Sequence, residues 1–343
     1  KGEFISAAVG QRVLELAEEA SFEFAEVDHL GSQLADNSFL EKHIEEVLKL
    51  PLVNKAVIKT AKFKVVVDGV NSSGGIYIPA LLEAMGVEVI KLFCDPTGHF
   101  PHNPEPLEEH LTDIKAAVLA HKADLGIVVD PDVDRLAFIS EDGSMFGEEY
   151  TLVACADYVL SKTPGATVSN LSSTRALRDV TEKHGQKYTA SAVGEVNVVT
   201  AMKAENAVIG GEGNGGIIYP ESHYGRDALV GVALFLMLLA EKKTTASALR
   251  ATYPVYFMRK DKISLTEDIN VDAILAAMAT LYKEEEVNTT DGVKIDFEHH
   301  WVHLRKSNTE PIIRIYTEAT SLDLATSVAD AMMKQILDLS KKV

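Results

Sequence analysis

Short apolar runs alternate with helix-length segments through most of this chain, and this alternation restricts the possible folds more than any other feature. Strand-like runs at residues 64–67, 87–93 and 125–129 are separated by helical patterns at 74–85 and 107–121. This order is typical of a parallel sheet whose helices cross over its faces. A second series with the same alternation follows. We therefore expect an α/β fold with two consecutive βαβ domains and mixed, mostly parallel sheets.

Beyond residue 254 the strand patterns are longer, and one amphipathic helical pattern at 322–339 follows them, which predicts a smaller C-terminal α+β domain. A chain of 343 residues also exceeds what a single hydrophobic core usually organises. We therefore expect four segments, at residues 1–36, 37–145, 146–253 and 254–343.

Three carboxylates alternate directly after the predicted strand at 125–129, at Asp130, Asp132 and Asp134. Open parallel sheets bind ligands at the carboxyl ends of their strands. Like charges this close repel unless a cation compensates them, and hard oxygen ligands favour Mg²⁺ over zinc. The pattern therefore predicts a Mg²⁺ site. Arg135 follows at once, where it either pairs with Asp134 or reaches a substrate phosphate held by the metal.

Two other interpretations apply to the same loop. Glu141 stands eleven residues after Asp130, as in an EF-hand, but Arg135 occupies the position that needs glycine, and the flanks are strand-like. An aspartyl-nucleophile phosphatase would use Asp130 to attack phosphorus and Asp132 as acid and base. No Gly-Asp-x-x-x-Asp sequence follows to complete its metal site. The EF-hand is excluded and the phosphatase stays as an alternative.

A second group of polar residues has the composition of an anion site or of an ordinary hairpin turn. Two arginines flank the sequence Lys-Ser-Asn-Thr-Glu-Pro-Ile-Ile between two strand-like runs. Guanidinium groups can bind phosphate oxygens with two parallel hydrogen bonds, and hydroxyls and backbone N–H groups of a tight turn can point at the same anion. The predicted phosphate ligands are Arg305, Ser307, Asn308, Thr309 and Arg314.

The glycine-rich loop at residues 210–216 satisfies the Gly-x-Gly-x-x-Gly pattern of dinucleotide-binding folds. However, Ile217-Ile-Tyr-Pro220 cannot continue as the helix that such a fold requires, and Glu212 would point a carboxylate at pyrophosphate. Carboxylate and amide groups are suited to sugar hydroxyls. We therefore interpret the loop as a sugar-binding site with Glu212 and Asn214 as its ligands; a simple glycine-rich turn is the alternative.

In this order along the chain, the three loops resemble those of the α-D-phosphohexomutase family. Asp130-Pro-Asp-Val-Asp-Arg135 is similar to the family's metal loop, and Gly211-Glu-Gly-Asn-Gly-Gly216 to its sugar loop. Arg305-Lys-Ser-Asn-Thr-Glu-Pro311 is similar to its phosphate loop. Ala192-Val-Gly-Glu195 resembles the loop that helps to select the sugar, which adds Gly194 and Glu195 to the expected sugar ligands. The resemblance extends from about Phe63 to the C-terminus.

The resemblance implies a Mg²⁺-dependent mutase that interconverts hexose 6-phosphates and hexose 1-phosphates through a bisphosphorylated sugar, with Arg135 as a catalytic residue. A phosphoglucomutase/phosphomannomutase is the first choice and a phosphoglucosamine mutase the alternative; a module that only binds sugar phosphates is a further one. The family's donor is a phosphoserine on the first of four domains. At His102-Asn-Pro104, Pro101 stands where that serine is expected. We therefore expect the phosphoserine domain to be missing, residues 1–36 to be its end, and the chain to be inactive alone.

The family's better-known bacterial members carry histidine at the end of the sugar loop, where this chain has Gly216. The resemblance therefore leaves the general acid or base unassigned. His223 and Arg226 could supply a polar group instead, or could simply precede the next helix.

The formal net charge of −18 argues against nucleic acid or an anionic membrane as a partner. An anionic substrate must therefore be held by a local basic cleft. Cys94 and Cys155 are the only cysteines, which suggests reduced thiols rather than a disulfide framework. No signal peptide or membrane-spanning run is recognisable, so we expect a cytoplasmic location.

Overall fold

Three sheets follow one another along the chain in the computed structural model, which describes residues 3–20, 22–264, 269–307 and 312–341. Before the first sheet, helix α1 (Ala7–Glu19) is capped by Ser6, whose hydroxyl accepts the Val9 N–H, and none of its residues is buried. The N-terminal segment also exposes large apolar side chains, including Phe24 and Leu34. This part of the chain therefore contributes little to the core.

The first sheet has the order β2-β1-β3-β4, in which β1 lies parallel to β2 and β3 while β4 is antiparallel to β3. Every residue of β3 is buried, as its uninterrupted apolar sequence predicts. The elements of this unit are α2 (Phe39–Lys49), α3 (Lys55–Ala61), β1 (Lys64–Asp68), α4 (Gly74–Ala84), β2 (Glu88–Leu92), α5 (Thr112–His121), β3 (Leu125–Val129) and β4 (Leu136–Ser140).

The second sheet repeats this arrangement with the order β6-β5-β7-β8, again with one antiparallel edge strand, β8. Its elements are α6 (Glu148–Lys162), β5 (Thr167–Asn170), α7 (Ala176–Lys183), β6 (Tyr188–Ser191), α8 (Glu195–Glu205), β7 (Ile209–Glu212), β8 (Gly216–Ile218), α9 (Ala228–Lys242) and α10 (Ala246–Arg250).

The third sheet is antiparallel throughout, with the order β10-β11-β12-β13-β9. Helices α11 and α12 supply apolar side chains to the core on one of its faces. The expected fold class, two mixed and mostly parallel sheets followed by a smaller α+β unit, is confirmed. The elements are β9 (Phe257–Ser264), α11 (Val271–Leu281), β10 (Glu286–Asn288), β11 (Val293–Asp296), β12 (His300–Lys306), β13 (Ile312–Ala319) and α12 (Leu322–Ser340).

The other face of the third sheet meets the second unit. The Arg175 guanidinium, which is buried, donates to the Asp296 carboxylate at 2.9 Å and to the Phe297 carbonyl at 2.8 Å. The Arg175 backbone N–H donates to Glu318 at 2.8 Å. Because a buried charge is tolerated only when it is paired, these bonds fix the third sheet against the second unit.

Helix α9 joins the first two units, since residues 228–239 are all buried in a core that both units share. A helix that is apolar on every side is typical of such a central position. Within that core the Phe235 ring stacks on Phe138 with 3.9 Å between ring centroids and meets Phe146 edge-on at 5.0 Å. In the part of the chain that the structure describes, no helix combines the length and apolarity needed to cross a membrane.

Replacing Phe235 by alanine should lower the free energy of unfolding by about 3–5 kcal/mol, because a cavity opens between two aromatic partners. Urea denaturation measures this loss. Phe24→Ala is the control, since Phe24 is 87% exposed and its removal should change stability by less than about 0.5 kcal/mol. Equal losses in the two variants would contradict the central position of α9.

Candidate active site

The turn between β3 and β4 gathers the three predicted metal ligands. One carboxylate oxygen from each of Asp130, Asp132 and Asp134 lies within 4.8 Å of the other two. Asp130 is buried, and its Oδ1 accepts the backbone N–H groups of Asp134 at 3.1 Å and Arg135 at 2.9 Å. The backbone of Val133 has a φ of 64°, an unfavourable value for a β-branched residue. The turn is therefore held in a specific and partly strained shape that brings the carboxylates together.

The electrostatics of this group favour a cation. Burial first, and then the neighbouring Asp134 and Asp132 carboxylates, raise the pKa of Asp130 to about 7. Burial also raises the pKa of Asp134, against the attraction of the Arg226 guanidinium. The ligands are oxygens only, which suits Mg²⁺. A divalent cation here would relieve both the repulsion and the burial of charge, so the residues fit such an ion.

Arg135 does not pair with Asp134, one of the two arrangements expected from the sequence. Its Nε lies 3.5 Å from Asp130 Oδ2, and its NH1 donates to Glu105 Oε1 at 3.1 Å. Asp134 instead pairs with Arg226. Asp134 and Arg135 are adjacent in the turn, and their side chains therefore reach different partners. The Arg135 side chain is 32% exposed, so a phosphate in front of the metal loop can reach it.

The glycine-rich loop forms the turn between β7 and β8 and places Glu212 beside the loop that precedes α8. Glu212 is buried, and its Oε1 accepts Asn170 Nδ2 at 2.9 Å and the Gly194 N–H at 3.2 Å. Glu195 is also buried and pairs with Arg226. The structure therefore brings together the two sequence motifs that were expected to bind the sugar, with Glu195 joined to them through an arginine.

A cavity of about 160 Å³ lies between the second unit and the third sheet, and both the glycine-rich loop and the arginine-containing hairpin line it. Its walls combine carboxylates, amides, hydroxyls and two cations, a composition suited to a polar anionic ligand. The lining residues are Glu149, Asn170, Ser172, Val193, Glu212, Gly213, Asn214, Lys260, Arg305 and Tyr316.

Arg305 and Arg314 face each other in the register of β12 and β13, so their side chains project from the same face of the sheet. Arg305 Nε lies 2.9 Å from Asp291 Oδ2, and Arg305 lines the cavity, whereas Arg314 is exposed and does not. Ser307 is buried, and its N–H donates to the Ile312 carbonyl at 3.1 Å. The two other predicted phosphate ligands, Asn308 and Thr309, lie outside the described residues.

Several cavity residues were not predicted from the sequence, and two of them, Glu149 and Lys260, are charged. Burial raises the pKa of Glu149 to about 8, and its carboxylate accepts the Thr174 N–H at 2.9 Å with Lys260 Nζ 3.9 Å away. A side chain at Gly213 would lie 2.0 Å from Glu149 Oε2, so glycine allows the loop to approach this acid. Glu149 lies in the first turn of α6 and Lys260 in a strand rich in charged residues, where acidic and basic side chains are common, so neither indicated a functional role from the sequence.

Three sequence-family models match the chain in order. They describe the phosphoglucomutase/phosphomannomutase α/β/α domain II at residues 41–143, α/β/α domain III at 147–256 and the C-terminal domain at 259–335. The fold and the site therefore define a class of sugar-phosphate enzymes built from these domains. The chain belongs to the α-D-phosphohexomutase family.

Individual relatives agree with this assignment. A probable phosphoglucosamine mutase of Methanopyrus kandleri is 32% identical over 93% of this chain and 70% of its own length. A phosphoglucomutase/phosphomannomutase of Thermococcus kodakarensis is 34% identical over 96% of this chain and 72% of its own length. A crystal structure of a phosphoglucomutase/phosphomannomutase family protein from Burkholderia thailandensis, 26% identical, superimposes with a TM-score of 0.83 over 98% of this chain and 71% of that protein.

Mg²⁺ should raise the melting temperature of the chain, because an ion that binds only the folded turn stabilises it by about 2.7 kcal/mol at a concentration of one hundred times its dissociation constant. Thermal melts with and without Mg²⁺ measure the effect. Asp132→Asn should remove most of it, whereas Asp95→Asn, at an exposed acid outside the group, should leave it intact. The same shift in both variants would mean that the ion binds elsewhere.

Proposed function

We propose that this chain carries the metal, sugar and phosphate sites of a Mg²⁺-dependent phosphohexomutase that interconverts hexose 6-phosphates and hexose 1-phosphates through a bisphosphorylated sugar. Glucose and mannose phosphates are the first choice of substrate, and glucosamine phosphates are the alternative. The observation that carries the proposal is that Glu212, Asn214 and Arg305 line the same cavity, which would offer sugar and phosphate ligands side by side.

Successive segments of the chain would carry the different binding loops. Residues 37–145 carry the metal loop, 146–253 the sugar loop and 254–343 the phosphate loop. The phosphoryl donor would be a phosphoserine, which the family carries on its first domain.

Glu212 and Asn214 would accept hydrogen bonds from sugar hydroxyls and thereby set the position of the ring. At neutral pH the raised pKa of Glu149, about 8, leaves much of this carboxyl protonated. It can therefore donate a hydrogen bond to a sugar or phosphate oxygen, as other buried neutral carboxylic acids do. Together the three side chains offer both acceptors and a donor to one ring.

Arg305 would bind the phosphate that is not reacting, with its guanidinium oriented by Asp291. Arg135 lies beside the metal loop, where it would contact the reacting phosphoryl group. Asp130, Asp132 and Asp134 would hold Mg²⁺, which neutralises charge on a transferring phosphoryl group when it is bound. Because the metal loop and the cavity are separate, one phosphate can react while the other anchors the sugar.

The proposal predicts that glucose 6-phosphate and glucose 1-phosphate compete for one site on this chain and that neither is hydrolysed. Calorimetric competition and an assay for released phosphate test both points. The alternative, an aspartyl-nucleophile phosphatase, predicts phosphate release that Asp130→Asn abolishes. Hydrolysis of that kind, or independent binding of the two sugars, would overturn the mutase proposal.

Replacing Arg305 by lysine keeps the charge but loses the two parallel hydrogen bonds. Affinity for both hexose phosphates should then fall about tenfold or more, since hydrogen bonds to charged groups contribute about 1.5–3 kcal/mol. Arg259→Lys is the matched control, because Arg259 stands on the same sheet but pairs with Asp261 and Asp330. An Arg305→Lys variant that binds either ligand as tightly as the wild type would remove the phosphate-binding role.

Mg²⁺ affinity should depend on pH through Asp130, whose pKa burial and like charges raise to about 7. Below pH 7 the metal must displace a proton, so affinity should rise about tenfold between pH 6 and pH 8 and then level off. Calorimetry in buffers of different ionisation enthalpy should also detect about one proton released per Mg²⁺ at pH 6. Constant affinity across this range would show that Asp130 is already ionised.

A further inference from the structure

Arg226 lies where three loops meet. Its backbone N–H and its Nε donate to Glu195 at 2.9 and 2.8 Å, and its NH1 donates to Glu212 at 3.0 Å. Its NH2 donates to Asp134. Only 13% of the side chain is exposed. One guanidinium therefore serves the metal loop, the glycine-rich loop and the loop before α8.

The neighbours of Arg226 hold it in this position. Asp227 caps α9 through Oδ1, which accepts the Leu229 N–H at 2.8 Å, and its Oδ2 accepts His43 Nε2 at 2.9 Å and His223 Nε2 at 3.0 Å. Arg226 thus directly precedes the N-cap of a buried helix. The hydrogen bonds of Asp227 to α9 and to the two histidines therefore restrict the movement of the Arg226 backbone.

The glycine-rich loop also leaves room for Arg226. A Cβ built on Gly216 would lie 2.3 Å from Arg226 Cδ, a distance that a side chain at this position could not maintain. The glycine at the end of the loop therefore lets the arginine approach Glu212.

We infer that Arg226 is a positioning residue that couples the metal loop to the sugar loop, so that cation binding at Asp130, Asp132 and Asp134 strengthens hexose phosphate binding at Glu212. This inference rests on the proposed function. Arginine stays charged and offers five N–H donors in a fixed plane, which is what three separate carboxylates require. A lysine ammonium is a single point of charge and cannot hold all three in the same geometry.

The direction of the coupling follows from the shared carboxylate. A divalent cation at Asp134 neutralises part of the charge that attracts Arg226, so the guanidinium is left to Glu195 and Glu212. Glu195 and Glu212, which lie on two sides of the proposed sugar site, are then held more firmly. By thermodynamic linkage the sugar phosphate must strengthen cation binding by the same factor, for which about fivefold or more is typical.

The same electrostatics predict opposite changes when the charge is removed. In Arg226→Gln, the three carboxylates lose their cation, so Mg²⁺ should bind severalfold more tightly. Glucose 6-phosphate should bind about tenfold more weakly, because Glu212 and Glu195 repel each other. In Arg226→Lys, Mg²⁺ affinity should stay close to that of the wild type while the coupling between the ligands disappears. A residue that only supports the fold would weaken both ligands together.

The experiment is calorimetric titration of the full chain with Mg²⁺ alone, with glucose 6-phosphate alone, and with glucose 6-phosphate in saturating Mg²⁺. Arg250→Lys is the matched control, because Arg250 is also partly buried and donates to the Phe146 carbonyl at 3.0 Å away from the three loops. It should keep the wild-type coupling. If Arg226→Gln does not fold, Arg226→Lys alone tests the inference through the loss of coupling between the two ligands.

Two results would overturn the inference while the proposed function stands. In the first, the wild type binds Mg²⁺ and glucose 6-phosphate, but neither ligand changes the affinity for the other. In the second, the Arg226→Lys variant keeps the coupling of the wild type. A wild type that binds neither ligand would instead overturn the proposed function, and the inference with it.

Discussion

Compensation of buried negative charge is the interaction on which this site depends. The three carboxylates of the metal loop lie close together, Arg226 links Asp134 to Glu195 and Glu212, and Glu149 lies near Lys260. An uncompensated buried charge costs several kcal/mol, so each loop takes the position in which its carboxylate finds a countercharge. The chain is also strongly acidic, with a formal charge of −18, and only local cations such as Arg305 can attract an anion.

The scaffold makes this compensation possible by fixing where strands end. The metal loop follows β3 and the glycine-rich loop follows β7, and both strands belong to sheets that share the core around α9. Arg175 holds the third sheet against the second unit, which places Arg305 across the cavity from Glu212. The proposed ligands for a sugar and for its phosphate therefore come from different units, which a buried ion pair and further hydrogen bonds hold together.

Much of the fold was predictable, because each element obeys a local pattern. The buried strand β3 reads as an uninterrupted apolar run, and the long strands and helix α12 of the third unit follow the predicted pattern, whereas α11 was not predicted. The metal ligands were predictable for a similar reason, since they lie within five residues of one another. Partners far apart in sequence were not predictable: Glu149 and Lys260 approach each other across 111 residues, and Arg135 pairs with Glu105 across 30.

The elements, their order and the available chemistry can be read from the sequence, since periodicity, glycine-rich turns and residue types are local properties. The family assignment follows from the same local motifs taken in order. Which charges share a partner depends on how the chain packs in three dimensions. The sequence marks Arg226 only as a possible polar group or a residue that precedes a helix, yet packing brings it to Asp134, Glu195 and Glu212. Coulomb energy depends on distances in space, and packing of the whole chain sets those distances.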